Sequence, residues 1–307
     1  MPKRVARVIQ FYRIEFLVKE ASSGRNRNVN PRPLFQAVAA MPSSQYPPGR
    51  YLTFADGNAL AMEIDRIDGE IAGKIANFRQ NDLPLVDDKQ SKHPLAIRPE
   101  EGLYYPSHFV LFGGQVLGFE ANFLGPRASQ IDHFLSRILR DRVTRVELQA
   151  IPRAGALDKL RRIREVKLFR IRVGRDVAER TRVLDANIFD ALDALKRSID
   201  ADDLEIAFRP AKYSRDRFAL PWKRRIPQYL SDPVARQGTS EMLIEGYDPK
   251  ADEMITIDLL QEYVVSEKVL RVIDEKTRTV RSEDAYAAIR EVRGEFNADI
   301  QRVLEPD

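Results

Sequence analysis

The stretch SHFVLFGGQVLGFEANFL, from Ser107 to Leu124, constrains the fold more than any other part of the chain. Two runs of β-branched and aromatic residues flank Gly113-Gly114, and a glycine pair accepts the positive φ angles of a tight hairpin turn. Segments of similar composition precede it: RVARVIQFYRIEFLVK (4–19), RYLTFA (50–55), ALAMEID (59–65) and EIAGKIANF (70–78). They are separated by turn chemistry such as PPG at 47–49 and DGN at 56–58, which predicts antiparallel strands. After the hairpin, PRASQIDHFLSRIL places Pro126 at an expected first helical position. Ile131, Phe134, Leu135 and Ile138 there fall on one helical face.

The second half alternates in the same way. RVTRVELQAI (142–151) reads as a strand. ALDKLRRIRE reads as a short helix with Leu157, Leu160 and Ile163 on one side and arginine on the other. In VKLFRIRV the period returns to two, with Phe169, Ile171 and Val173 on one face and Arg170 and Arg172 on the other. A helix over DANIFDALDALKRSI, with Ile188, Leu192, Leu195 and Ile199 as its buried stripe, leads to a strand, LEIAFRP. A hairpin from EMLIEGYD and MITIDLLQEYVV and one long terminal helix, EDAYAAIREVRGEFNADIQRVL, complete the chain. The longest irregular stretch, residues 79–106, contains four prolines. The expectation is an α+β protein of mixed, mainly antiparallel sheets with packed helices in two lobes. Residues 1–140 would form an N-terminal α+β domain, and 141–307 a basic α+β domain closed by an acidic hairpin and helix. With 307 residues, 43% of them hydrophobic, the chain can bury roughly three quarters of its unfolded surface.

Several chemistries lose their usual anchors. The chain has no cysteine, which removes disulfides, thiolate zinc sites and a cysteine nucleophile and fits a reducing compartment. No run approaches eighteen apolar residues, and MPKRVARVIQFYR lacks the apolar block of a signal peptide, so a cytoplasmic location is expected. His93, His108 and His133 are scattered, and each is expected to be structural or solvated. There is no GxxxxGK or GxGxxG phosphate loop and no GxSxG elbow. Neither cofactor, metal site nor catalytic residue is expected. The one nuclease-like constellation is Asp158 followed by Glu165-Val166-Lys167, two carboxylates and a lysine as a metal-dependent phosphodiesterase would need. Asp158, however, opens a helix, where it complements the dipole. Asp56 with Glu63-Ile64-Asp65 has similar spacing and no lysine beside it.

Charge is the remaining signal. The net charge is +4, but residues 137–175 hold 13 bases against 4 acids, and 209–225 hold 7 against 1. Residues 241–307 reverse the sign, with 9 bases against 17 acids. The first basic stretch contains too few acids to neutralise itself. The second interleaves its bases with Tyr213, Phe218 and Trp222, rings that pack locally or lie against bases. Polyanion binding is therefore expected, through Lys159, Arg161, Arg162, Arg164, Lys167, Arg170, Arg172, Arg209, Lys212, Arg215, Arg217, Lys223, Arg224 and Arg225. The acidic final segment would mask this face in the free protein.

With these segments in place the chain resembles the RexA-like phage exclusion proteins. The similarity lies in EGLYYPSHFVLFGGQVLGFEANFLGPRASQIDHFL, through Pro106-Ser107, Gly118-Phe119, Gly125-Pro126, Ser129 and Phe134-Leu135. It recurs in DDLEIAFRPAKYSRD, through Leu204, Ile206, Arg209, Pro210, Lys212, Arg215 and Asp216. The resemblance implies a homodimer related in overall fold to the recombination-associated protein RdgC. It also implies a cytoplasmic subunit of an anti-phage system that binds double-stranded DNA with little sequence preference, beside a small membrane protein encoded by an adjacent gene. Arg209, Lys212 and Arg215 are the DNA contacts that it implies. The alternatives are a metal-dependent nuclease of phage defence and a basic adaptor for an acidic partner or a membrane surface. RNA in place of DNA also fits phosphate spacing.

Overall fold

The computed structural model describes residues 4–19, 26–42, 50–87, 89, 91–153, 155–175, 177–199, 201, 203–209, 221–260, 263–273 and 279–304. The protein is α+β with mainly antiparallel sheets, as its patterning predicts. It divides into two compact units, residues 1–147 with 266–296, and residues 148–265 with 297–307. The expected division at residue 140 placed everything after it in one domain. Residues 266–296 instead return to the first unit.

In the first unit the spine is β1 (Arg4–Lys19), which pairs near its end with β2 (Asn26–Asn28). The strands α1 (Arg32–Ala40) separates from β1 are β3 (Tyr51–Thr53), β4 (Ala59–Ile67) and β5 (Glu70–Arg79). The stretch expected to be irregular contains a two-stranded ribbon, β6 (Val86–Asp87) and β7 (Lys92–His93). The hairpin follows as β8 (Leu103–Phe112) and β9 (Val116–Ala121), then α2 (Gln130–Ile138) and β10 (Arg145–Ala150). The main sheet runs β10-β1-β9-β8-β5-β4-β3 and curls into a half-barrel. At the hairpin Gly113 and Gly114 have φ of 56° and 76°, and the Gln115 N–H closes the turn on the Phe112 carbonyl at 3.2 Å. Helix α2 begins later than Pro126 predicted. The Pro126 carbonyl accepts a hydrogen bond from the Ser107 hydroxyl at 3.0 Å, so this proline belongs to a corner packed on β8. Asn122 donates to the Pro106 carbonyl at 2.9 Å in the same corner, so Pro106-Ser107 and Gly125-Pro126 pack together.

The second unit is built on a four-stranded sheet. Its elements are α3 (Ala156–Arg162), β11 (Glu165–Gly174), α4 (Ala186–Ser198), β12 (Asp203–Phe208), α5 (Ile226–Ser231), α6 (Pro233–Gln237), β13 (Thr239–Asp248) and β14 (Glu253–Asp258). A 3-10 turn spans Ala178–Val183 and another Pro221–Arg225. The strand order is β12-β11-β13-β14, every pair antiparallel. Period-two alternation puts Phe169, Ile171, Val173, Leu204, Met242, Ile244 and Ile257 on a buried inner face. Helix α4 packs against β12 through its stripe of Ile188 and Leu192, and α6 packs against β13. Burying one such aliphatic side chain stabilises the unit by about 1.5–3 kcal/mol.

The chain then returns to the first unit as β15 (Val265–Arg271), which pairs with β1, and α7 (Ser282–Glu295), which packs against β8, β9 and β1. Gly118 permits that approach, because a Cβ there would lie 2.3 Å from Ile289 Cγ2 and 3.0 Å from the Phe11 ring. The single terminal helix expected from sequence is two helices, α7 and α8 (Asn297–Leu304). Phe296, at φ −109° and ψ 23°, ends the first of them two residues after Gly294, a weak helix former. Among the described residues no helix is long and apolar enough to cross a membrane.

Candidate nucleic-acid interface

The expected basic residues divide into two groups with opposite surroundings. Arg170 and Arg172 do lie on the outer face of β11, as the alternation predicts, but both are engaged there in ion pairs. Arg170 Nη1 lies 3.0 Å from Glu241 on β13, and Arg172 Nη2 lies 2.5 Å from Glu205 on β12 and 3.3 Å from Glu241. The Glu205 carboxylate raises the Arg172 guanidinium above its usual range. By register, Asp203, Glu245 and Asp258 share this face, so its acids outnumber its bases. Arg170 and Arg172 are removed from the interface. Few acids within 137–175 proved no guide, because a sheet draws ion-pair partners from strands distant in sequence.

Arg162 is also neutralised. Its Nε and Nη2 donate to the Asp248 carboxylate at 3.2 Å and 3.1 Å, and Asp248 is only 3% exposed. The Arg162 hydrogen bonds, followed by one from the Lys250 N–H, hold the Asp248 carboxyl below the ordinary carboxylate range. This pair ties α3 to the end of β13. Asp158 lies in the first turn of α3 and pairs with Arg161 at 3.6 Å, the arrangement expected of a dipole-complementing residue.

The second group gathers at the end of the sheet where β11 begins. Lys223 Nζ donates to the carbonyls of Arg161 at 3.2 Å and Ile163 at 2.6 Å, capping the C-terminal end of α3. Partial burial, with Arg224 beside it, pulls the Lys223 ammonium below the usual lysine range. Lys223 is therefore a bridge between the two basic segments more than a contact. It ties the turn that carries Arg224 and Arg225 to the end of the helix that carries Lys159 and Arg161 and precedes Arg164, and all five residues are exposed. Arg225 also reaches the Leu184 carbonyl at 3.4 Å. Lys167 sits at a bulge between Val166 and Leu168, and Arg209 follows the last residue of β12. Both are exposed at this same end of the sheet, since Phe208 pairs with Phe169. Lys212, Arg215 and Arg217, with Tyr213 and Phe218, lie outside the described residues.

No protein-family model matches this chain, and no curated protein matches it.

The acidic final segment spends its carboxylates close to home. Lys268 pairs with Glu291 and Glu295 at 2.7 Å and 2.6 Å, and Arg271 with Asp284 at 2.6 Å. Among the described residues of 241–307, Glu241 and Asp248 pair with expected contacts. Elsewhere, the lysine missing beside Glu63 and Asp65 in sequence is supplied by the next strand. Lys74 Nζ lies 3.0 Å from Glu63 and 3.7 Å from Asp65, a cross-strand pairing of β4 with β5. His93 is exposed and lies 3.2 Å from the Pro94 carbonyl, and His133 stacks on Phe54. His108 is neither solvated nor isolated: it is 2% exposed and lies opposite Glu120.

Proposed function

We propose that this protein binds the backbone of double-stranded DNA without sequence preference, through the exposed cations at the α3 end of its second unit. The observation that carries this reading is the Lys223 bridge, which unites two basic segments some sixty residues apart in sequence. Lys159, Arg161, Arg164, Arg224 and Arg225 form the centre of the surface, with Lys167 and Arg209 extending it. Charges on a helix and adjoining turns meet phosphates without the ordering cost of a flexible tail. Backbone contacts of this kind position a protein and carry no sequence information. Together with the resemblance to RexA-like proteins, this makes the chain a cytoplasmic, homodimeric DNA-binding subunit of an anti-phage exclusion system, acting beside a small membrane protein encoded next door.

A gel-shift series tests it, with double-stranded, single-stranded and RNA probes of equal length across a range of salt. About five phosphate contacts predict a slope of log K against log salt near −4.5, hence a loss of roughly 500-fold between 50 and 200 mM. A salt-independent affinity, or equal binding of an anionic vesicle at matched ionic strength, would refute the assignment.

A further inference from the structure

We propose that Ser282, His108 and Glu120, all in the first unit, form a serine-nucleophile site that cleaves a carboxylic ester with an apolar acyl group. His108 Nδ1 lies 2.9 Å from Glu120 Oε2, and His108 Nε2 lies 3.2 Å from Ser282 Oγ. An ionised carboxylate only accepts, so Nδ1 carries a proton; in the neutral imidazole the Nε2 lone pair then faces the serine hydroxyl, the tautomer of a general base. The carboxylate is itself fixed. Its Oε2 also accepts the His108 backbone N–H at 3.1 Å, and its Oε1 lies 2.8 Å from Arg7 Nε. Tyr286 meets the imidazole edge-on, with ring centroids 5.6 Å apart, and its hydroxyl is held by Asp65 at 2.7 Å.

Part of this arrangement docks a helix. Ser282, Tyr286 and Arg290 are spaced four apart along α7, and each bonds a residue of the sheet. Docking alone does not require a serine–histidine–carboxylate relay, nor open space beside it. A cavity of about 540 Å³ reaches His108, Glu120, Arg7 and, two residues before Ser282, Val280; its other apolar walls are Tyr104, Tyr105, Pro106, Phe123 and Leu124, and Ser282 itself borders it through His108. Phe123 and Leu124 are 98% and 53% exposed, which suits the entry of an acyl chain. Ser282 opens a fourteen-residue helix whose first-turn N–H groups have no carbonyl four residues back, leaving them as donors to an oxyanion.

In the reaction, Ser282 Oγ adds to the ester carbonyl carbon while His108 Nε2 takes the hydroxyl proton. The tetrahedral adduct collapses, breaking the bond to the leaving alkoxide, which takes that proton from His108 and departs as the alcohol. Water, deprotonated by His108, then cleaves the acyl-serine to a carboxylic acid and restores Ser282. Glu120 is a positioning residue, since it acts only through the imidazole.

The full chain, treated with a fluorophosphonate probe and mapped by mass spectrometry, should carry an adduct on Ser282. Ser282→Ala and His108→Gln should lose the adduct and turnover of a p-nitrophenyl butyrate, with melting curves confirming a folded protein. Glu120→Gln should lower kcat by about 10²-fold or more while KM holds, a split that loss of a helix-docking contact would not produce. An unlabelled Ser282 in folded wild-type protein, or turnover that survives Ser282→Ala, would overturn the proposal.

Discussion

Arg161 and Arg170 stand nine residues apart in one basic run, yet they inhabit opposite environments. Arg170 lies in a cross-strand lattice with Glu205 and Glu241, on a sheet face whose acids outnumber its bases. Arg161 lies on a short helix where its carboxylate partner, Asp158, is exposed and 3.6 Å away, and where Lys223 draws in more positive charge. The difference teaches that a charge run is a supply of cations, whereas the field at a surface depends on which strands lie alongside. Ion pairs between exposed groups contribute little to stability, but they remove a guanidinium from the set free to meet phosphate.

The contrast can be broken most forcefully at the helical end. Arg161→Glu, Arg164→Glu and Arg224→Glu together should reduce DNA affinity by roughly 500-fold at 0.1 M salt and flatten the salt slope by about 2.7, measured by fluorescence anisotropy. Arg162 is left out of this set because removing it strands the buried Asp248 carboxylate and would confuse binding with folding. A smaller effect is expected at the junction that aims Arg164. A Cβ at Gly246 would lie 2.5 Å from Ile163 Cγ2 and 2.7 Å from the Glu165 carbonyl oxygen. Gly246→Ala should therefore cost about 1–3 kcal/mol in chemical denaturation and weaken DNA binding in parallel.

The lattice can be broken from the other side. Glu205→Gln with Glu241→Gln should free Arg170 and Arg172 and raise DNA affinity by about tenfold, within the limit set by two added phosphate contacts. An unchanged affinity would mean that this face never meets the ligand. Acid offers a milder test of the Arg162 pair. Because the folded Asp248 carboxyl titrates below its unfolded value, the pair's stabilisation is complete above about pH 4 and is lost as pH falls through the folded pKa. Urea midpoints of wild type and Asp248→Asn should differ at pH 7 and converge towards pH 2. At the lower end of the scale, Arg170→Gln with Arg172→Gln should change DNA affinity by less than about twofold in the same anisotropy assay.

Much of the fold was legible because it follows from local rules. Gly113-Gly114 marked the β8–β9 hairpin, and counting pairs outward from it sets Val110 against Gly118 and Phe109 against Phe119. The next step places His108 opposite Glu120, so this pair was within reach of the sequence. A search for ligands at fixed linear spacing passes over it. The return of residues 266–296 was not legible, since nothing in β15 names β1 as its partner. The acids of that segment also told little, because Asp284, Glu291 and Glu295 answer to Arg271 and Lys268 within the same segment.

Sequence alone determined the alternation of strands and helices, the face of β11 that is apolar and the excess of bases in two segments, since each depends on residues within a few positions of one another. Tertiary structure decided which of those bases remain open, which histidine acquires a carboxylate and a serine, and which unit the returning chain joins. These outcomes depend on strand order and register between distant segments, and Coulomb interactions act through space over a few ångströms whatever the separation along the chain.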